Sequence, residues 1–399
     1  MLDARSRSDR RWSLVAALGV TQVVSWGSLY YAFAVVMGDV ARDLDADPTA
    51  VVGAYCLALL ISGLVVAPVG RQIDRDGARA VMTAGSVAAA ALLAAFSEVT
   101  TLWALYFVWA GLGFAMGLVL YEPAFASLAL VFREDLRKAI TVLTLAGGLA
   151  STVFWPLTQW LSTSLGWRDA MLVLALVNLF VCVPLHALFL PERGRAAHEP
   201  RGLADDPAGR ARLLADWHFR ALALAFTLNM LAFSGITLHL LALLASKGIS
   251  PERAAFLAAL VGPMQVAGRV VELSFAHRAT PSRVGRIALF AFPVSIVLLA
   301  FTGPVDGIIV VFAAIYGASN GVMTIVRSTV PAEIWGRDGY GGLTGLMATP
   351  VLIARAVGPF FASWMLVAMG GFVPMALAFA AIGLLAWASF EAAVHFNRR

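Results

Sequence analysis

Glu122, Arg269, Glu272 and Arg355 each stand inside a long apolar run of the 399-residue sequence. If those runs cross a bilayer, a charge near its centre costs roughly 2.5–3.5 kcal/mol, and four of them about 10 kcal/mol, unless they pair or face water. A guanidinium cannot escape burial by losing its proton, and its fork of donors matches a carboxylate. Arg269 and Arg355, both in the second half of the chain, therefore point to an anionic ligand. Two arginines suit a dicarboxylate, or a carboxylate with a second polar group. Alternatively Glu272, three residues beyond Arg269, neutralises it on one helix face and leaves Arg355 for a monocarboxylate. The buried acids Glu122 and Glu272 can change protonation as their surroundings change.

Other polar and aromatic side chains share these runs. Tyr30, Tyr31, Tyr121, Asn229, Tyr316 and Asn320 are candidates to line a binding cavity. Tyr30 and Tyr31 are adjacent, so on an α-helix they point about 100° apart and at most one of them faces the cavity squarely. His239 reads as a helix contact. The two cysteines, Cys56 and Cys182, lie far apart inside apolar runs and read as packing residues. No H-E-x-x-H, G-x-S-x-G, P-loop or zinc-type cluster occurs, so neither enzymatic chemistry nor a metal or other cofactor is expected.

The elements that position these residues follow from composition. The chain is 60% hydrophobic and 13% charged, with mean hydropathy +0.82, where soluble domains are about half apolar and a quarter charged. A bilayer core about 30 Å thick needs roughly 20 apolar residues per helix. Apolar runs fall at about 12–36, 49–69, 80–97, 101–131, 139–162, 168–190, 219–245, 252–276, 284–303, 306–329, 341–369 and 371–392. An all-α polytopic membrane protein with twelve spans follows, in two six-helix halves, 1–190 and 219–399, joined by a polar linker, 191–218. The first run follows Arg5, Arg7, Arg10 and Arg11 and is read as a retained span.

Of the 29 lysines and arginines, only Arg42, Arg168, Lys247 and Arg253 fall opposite the side that carries the termini, while Arg269, Arg327 and Arg355 lie in or at the edge of spans. That bias places both termini in the cytoplasm. The net charge of +5 is then a topology signal, and nucleic acid is not an expected partner. A compact Ala- and Arg-rich chain fits the inner membrane of a bacterium, and a monomer is expected. A weak repeat relates the halves: aligning Gly117 with Gly321 sets Glu122 within one position of Arg327. Glu122 with Arg327 is thus a candidate gating pair. The alternative is an Arg327 that snorkels to the cytoplasmic surface from about three residues inside its helix end.

The stretch Gly70-Arg71-Gln72-Ile73-Asp74-Arg75-Asp76-Gly77-Ala78-Arg79 follows the second span. It resembles the G-x-x-x-D-R-x-G-x-R loop of the major facilitator superfamily, placed where that family has it. Gly70 would allow close helix approach, Gly77 would turn the loop, and Asp74 with Arg75 and Arg79 would form a charge network. The resemblance implies that the loop acts in the conformational cycle. Gln22 to Phe33 in the first span and Gly268-Arg269 in the eighth are similar to the monocarboxylate and oxalate/formate transporter group, although Glu272 and Phe275 depart from its pattern. Phe154-Trp155-Pro156, with Gly147 and Gly148, resembles the family's fifth helix.

That group implies a secondary active transporter working by alternating access, in which a cation in the eighth helix and one in the eleventh hold an organic anion. Arg269 and Arg355 match those helices. Monocarboxylate transporters resemble this chain also in their eighth helix, but carry an acid one turn before the arginine for proton coupling. Gln265, which cannot titrate, stands there, so coupling falls to Glu122 or Glu272, or the anion is exchanged. A drug or cation exporter of the same superfamily, binding through an acid such as Glu122, is the rival expectation.

Overall fold

A bilayer leaves no water for the backbone, so every span must satisfy its amides internally. The computed structural model describes residues 2–132, 135–192, 207–275, 279–335 and 340–395. Among them there are only helices and short turns. Twelve helical stretches are long and apolar enough to cross a membrane: α1 Arg11–Asp43, α2 Pro48–Asp76, α3 Ala78–Ser97, α4 Leu102–Val131, α5 Lys138–Leu165, α6 Trp167–Phe189, α7 Trp217–Ala245, α8 Pro251–Glu272, α9 Pro281–Phe301, α10 Asp306–Trp335, α11 Leu346–Ala368 and α12 Phe372–His395. The chain is thus a multi-pass membrane protein. It divides into two compact units, Met1–Ala197 and His198–Arg399. Part of the expected linker is ordered as the short helix Pro207–Ala215, whose Leu213 is buried in the core of the second unit.

Helix starts are written in local chemistry. Asp47 accepts from the amides of Thr49 and Ala50 ahead of Pro48. Ser250-Pro251 opens α8 and Thr280-Pro281 opens α9 in the same way. A side-chain oxygen satisfies amides that the first turn leaves open, and proline at the first helical position has no amide to satisfy.

Packing inside each unit repeats. In the first, a Cβ on Gly113 would overlap the backbone of Ala58, and one on Gly117 would lie 2.9 Å from Val65 Cγ1. In the second, a Cβ on Gly317 would lie 2.5 Å from Val261 O, and one on Gly321 would overlap Gln265 O. A Gly-x-x-x-Gly ridge on α4 thus packs against α2 as its counterpart on α10 packs against α8, the small-residue contact that membrane helices use for close approach. The Gly117–Gly321 alignment is a real structural correspondence. Large apolar side chains such as Leu64, Trp103, Phe107 and Trp160 point outward, as expected of surfaces that face lipid.

The repeat breaks at one point. In α4 the helix is interrupted at Leu120, which is extended (φ −77°, ψ −159°), whereas α10 is continuous through Trp335. Pro123 stands three residues beyond the break. It lacks the amide that would bond Val119 O, and the side chain of Gln22 donates to that carbonyl instead, at 2.7 Å.

Candidate functional site

The first unit gathers aromatic rings at irregular backbone. Trp26–Tyr31 of α1 is a π-helical turn, a departure that frees carbonyls and often marks functional positions. Trp155 Nε1 donates to Tyr31 O at 3.2 Å and Tyr55 Oη to Tyr30 O at 3.3 Å. Ring centroids lie 5.2 Å apart for Trp26–Tyr30, 5.0 Å for Trp26–Tyr121, 5.0 Å for Tyr30–Tyr31 and 5.3 Å for Tyr31–Trp155. The structure therefore brings Tyr30, Tyr31 and Tyr121 together, and adds Trp26 and Trp155, which sequence reasoning did not assign to a site. Adjacent tyrosines join one cluster because the π-turn alters the α-helical spacing. Tyr30 is buried, and Tyr31 and Tyr121 are half-buried. Glu122 is half-buried in the first turn of the half-helix after the break at Leu120.

Sequence reasoning also missed a buried polar network beside this cluster. Asn178, in a second π-helical turn (Asn178–Cys182), donates to Ser28 Oγ at 2.8 Å and Leu174 O at 2.9 Å. His186 is fully buried, with Thr21 Oγ1 3.0 Å from Nε2 and Ser86 Oγ 2.8 Å from Nδ1. Polar residues inside the sixth apolar run were the available signal, the same rule that singled out the charged residues.

The Gly70–Arg79 stretch is less a loop than expected. Helix α2 runs to Asp76, and Gly77 alone, at φ +91°, turns the chain into α3. Arg75 pairs with Asp76, its Nη2 2.9 Å from Oδ2, and Asp74 is exposed. Arg79 donates to Leu190 O at 2.9 Å and pairs with Glu192, while Pro191 O accepts from the amides of Ala78 and Arg79. The network thus uses Asp76 and Glu192 where Asp74 was expected, because Asp76 adjoins Arg75 and the end of α6 passes Arg79. A Cβ on Gly70 would meet nothing within 4 Å.

In the second unit arginines stand on α8, α10 and α11. Arg269 is 6% exposed; its Nε donates to Gly321 O at 3.3 Å and its Nη2 to Thr324 Oγ1 at 3.4 Å. The α8–α10 glycine contact brings that guanidinium onto α10. Arg327 stands one turn beyond Thr324, and both Arg355 and Arg269 lie within electrostatic range of it. Arg327 and Arg355 are half-buried. Arg355 lies on α11 between Pro350 and Pro359; Pro359 leaves Arg355 O without its helical donor. Glu272 lies one turn from Arg269 at the end of α8, half-buried. Asn320, half-buried, is one turn before Thr324.

Two other sequence candidates, Tyr316 and Asn229, are buried within the second unit, as is His239. Tyr316 is fully buried; its hydroxyl donates to Phe233 O at 3.0 Å and lies 2.8 Å from Thr237 Oγ1, and its ring stacks on Phe233 and Phe292. It belongs to the core of the second unit, not to a lining. Asn229 is 3% exposed on α7. His239 bonds Gly235 O at 3.0 Å and Ser363 Oγ at 2.9 Å, a satisfied contact between α7 and α11.

Residues 18–312 match the family described as Major Facilitator Superfamily. Monocarboxylate transporter 13 of Rattus norvegicus is 28% identical over 275 residues, and its Bos taurus counterpart 30% over 283; each alignment covers 67% of this chain. The chain spans 62% and 63% of the length of those two relatives. Among solved structures, the nucleoside transporter NupG superposes with a TM-score of 0.73 at 16% identity, covering 96% of this chain and 98% of that one. The human organic anion transporter MFSD10 (TETRAN) superposes at 0.63 and 17% identity, covering 95% and 99%. These likenesses show a shared fold. The chain belongs to the Major Facilitator Superfamily, and within it resembles the monocarboxylate transporter branch.

Proposed function

We propose that the protein is a secondary transporter that moves a small organic anion, a carboxylate, across the membrane by alternating access, with protons or a counter-anion as the coupled species. One observation supports this reading: Arg269, Arg327 and Arg355 stand inside spans of the second unit, and Arg269 and Arg355 both lie within electrostatic range of Arg327, a concentration of guanidiniums suited to an anion. The names of the relatives in the monocarboxylate branch support the same substrate class. Arg269 and Arg355 hold the carboxylate, with Asn320 beside them on α10. In the first unit the aromatic residues Tyr30, Tyr31 and Tyr121 are the binding candidates, and Glu122 and Glu272 carry the proton where coupling is protonic. Both termini lie in the cytoplasm, the membrane is a bacterial inner membrane, and the working unit is a monomer.

A cation exporter is the second reading. Glu122, the residue after Tyr121 of the Trp26–Tyr121 ring pair, favours it, since aromatic faces and a carboxylate attract cations. A competition panel in proteoliposomes separates the two. Succinate, malonate and lactate suppress uptake of a labelled carboxylate if the anion reading holds. Suppression of a labelled lipophilic cation's flux, with carboxylates inert, would reject it.

A further inference from the structure

The first unit carries an outward groove that the transport reading does not use. It holds about 1220 Å³ and lies between α3 and the end of α6. Thr83, Ala84, Val87, Ala88 and Ala91 of α3 line it, with Ala187 of α6. The α3 positions recur at helical spacing and share one face. Four of the six residues are alanines, which leaves a trough where larger side chains would fill the space. Val87 is 46% exposed, so the trough is open to the bilayer. Thr83 to Ala91 is about 12 Å of helix at 1.5 Å per residue, which fits within one leaflet of a hydrocarbon core about 30 Å thick.

The mouth of the groove, where α3 begins, is charged. Asp76, Arg79 and Glu192 line it. Arg79 spends Nε on Leu190 O and Nη1 on Glu192 Oε1, while among the described residues its Nη2 and Glu192 Oε2 have no partner. A cationic donor and an anionic acceptor thus stand side by side with capacity to spare. One turn deeper is an unmet hydroxyl. A helical threonine ordinarily bonds a carbonyl three or four residues back, but Thr83 Oγ1 is buried and makes no hydrogen bond. Rotation about χ1 turns it into the groove that Thr83 lines, about 6 Å along the helix from Arg79.

We propose that this groove binds one phospholipid with a primary ammonium headgroup, that is, phosphatidylethanolamine. Its phosphate takes Arg79 Nη2, its ammonium donates to Glu192 Oε2, a glycerol ester carbonyl accepts from Thr83 Oγ1, and an acyl chain lies along Ala84, Ala88 and Ala91. Charged head, ester and alkyl chain follow one another along the lipid in the order in which their partners follow along α3. The headgroup is set by the mouth. An anionic lipid without an amine brings its charge against Glu192 and Asp76, and a choline headgroup has no N–H to donate. Such a site is independent of the cargo.

The test is lipid binding to the purified, delipidated full chain in detergent, followed by native mass spectrometry and thermal shift. The probes are phosphatidylethanolamine, phosphatidylcholine and phosphatidylglycerol with identical acyl chains. The wild type retains one phosphatidylethanolamine and binds it at least about threefold more tightly than either other lipid. In Glu192→Gln, a change at an exposed position, the preference over phosphatidylcholine collapses toward one. Filling the trough with Ala84→Leu and Ala88→Leu removes the bound lipid from a protein whose lipid-free melt is unchanged. Equal binding of the three lipids by the wild type overturns the proposal with no variant needed, since it marks unspecific solvation by lipid. So does an unchanged preference in Glu192→Gln, or retention of the lipid in the filled variant. Masses of two chains without lipid, lost in the filled variant, would give the groove to a second copy and overturn it as well.

Discussion

A single missing amide marks the middle of α4. Pro123 leaves Val119 O without a helical donor, the chain breaks at Leu120, and Gln22 answers from α1. Gln22→Leu removes that donor and leaves a buried carbonyl unsatisfied, which costs about 1–3 kcal/mol. A lower unfolding temperature in detergent is expected, and an unchanged one would mean that water or another group serves Val119. Gly77 is a second such point. At φ +91° it occupies backbone that side chains with a Cβ rarely adopt, so Gly77→Ala costs about 1–3 kcal/mol, read by the same melt. Gly70→Ala, where a Cβ meets open space, leaves the melting temperature within error. The charged candidates were legible as residues because a charge in an apolar run is conspicuous; their partners were not. Arg269 was visible, but that it reaches Gly321 and Thr324 depends on how closely α8 and α10 approach.

At the scale of elements, span existence was legible because bilayer thickness sets the length of an apolar run. Ends were less so. Helix α2 was expected to stop near residue 69 and continues through polar residues to Asp76, since a helix extends into the interface until something stops it, here Gly77. The π-turns at Trp26–Tyr31 and Asn178–Cys182 were illegible. At the first of them, side chains from other helices, Trp155 and Tyr55, take the freed carbonyls, and no local pattern announces that. The glycine ridges were half legible: Gly117 and Gly321 aligned in sequence, but only packing shows what each one touches. Gly321→Leu must displace the α8 backbone at Gln265 and with it Arg269. Loss of carboxylate binding together with a destabilisation of about 1–3 kcal/mol is expected, and a variant that binds normally would sever the link between this contact and the arginine's position.

For the whole molecule, the basic residues that break the charge bias explain themselves. Arg42 pairs with Asp39 and Arg253 with Asp306. Arg168 pairs with Asp43 at 2.7 Å and donates to Ser97 O and Val99 O, the end of α3. Lys247 does the same at the end of α9, bonding Ala300 O at 3.1 Å and Thr302 O at 2.8 Å. Each of the four is thus held by a partner in the structure. Coupling also belongs to this scale. If Glu122 carries the proton, uptake responds to an imposed pH gradient and loses that response in Glu122→Gln, while exchange of internal for external anion persists. A gradient response that survives in Glu122→Gln assigns the proton elsewhere. The central claim is that arginines within the membrane bind an organic anion. It is tested most directly by carboxylate uptake into proteoliposomes carrying Arg355→Gln, with folding verified by the unliganded melt. At least a tenfold loss of uptake is expected in a normally folded protein; undiminished uptake would contradict anion binding by these arginines.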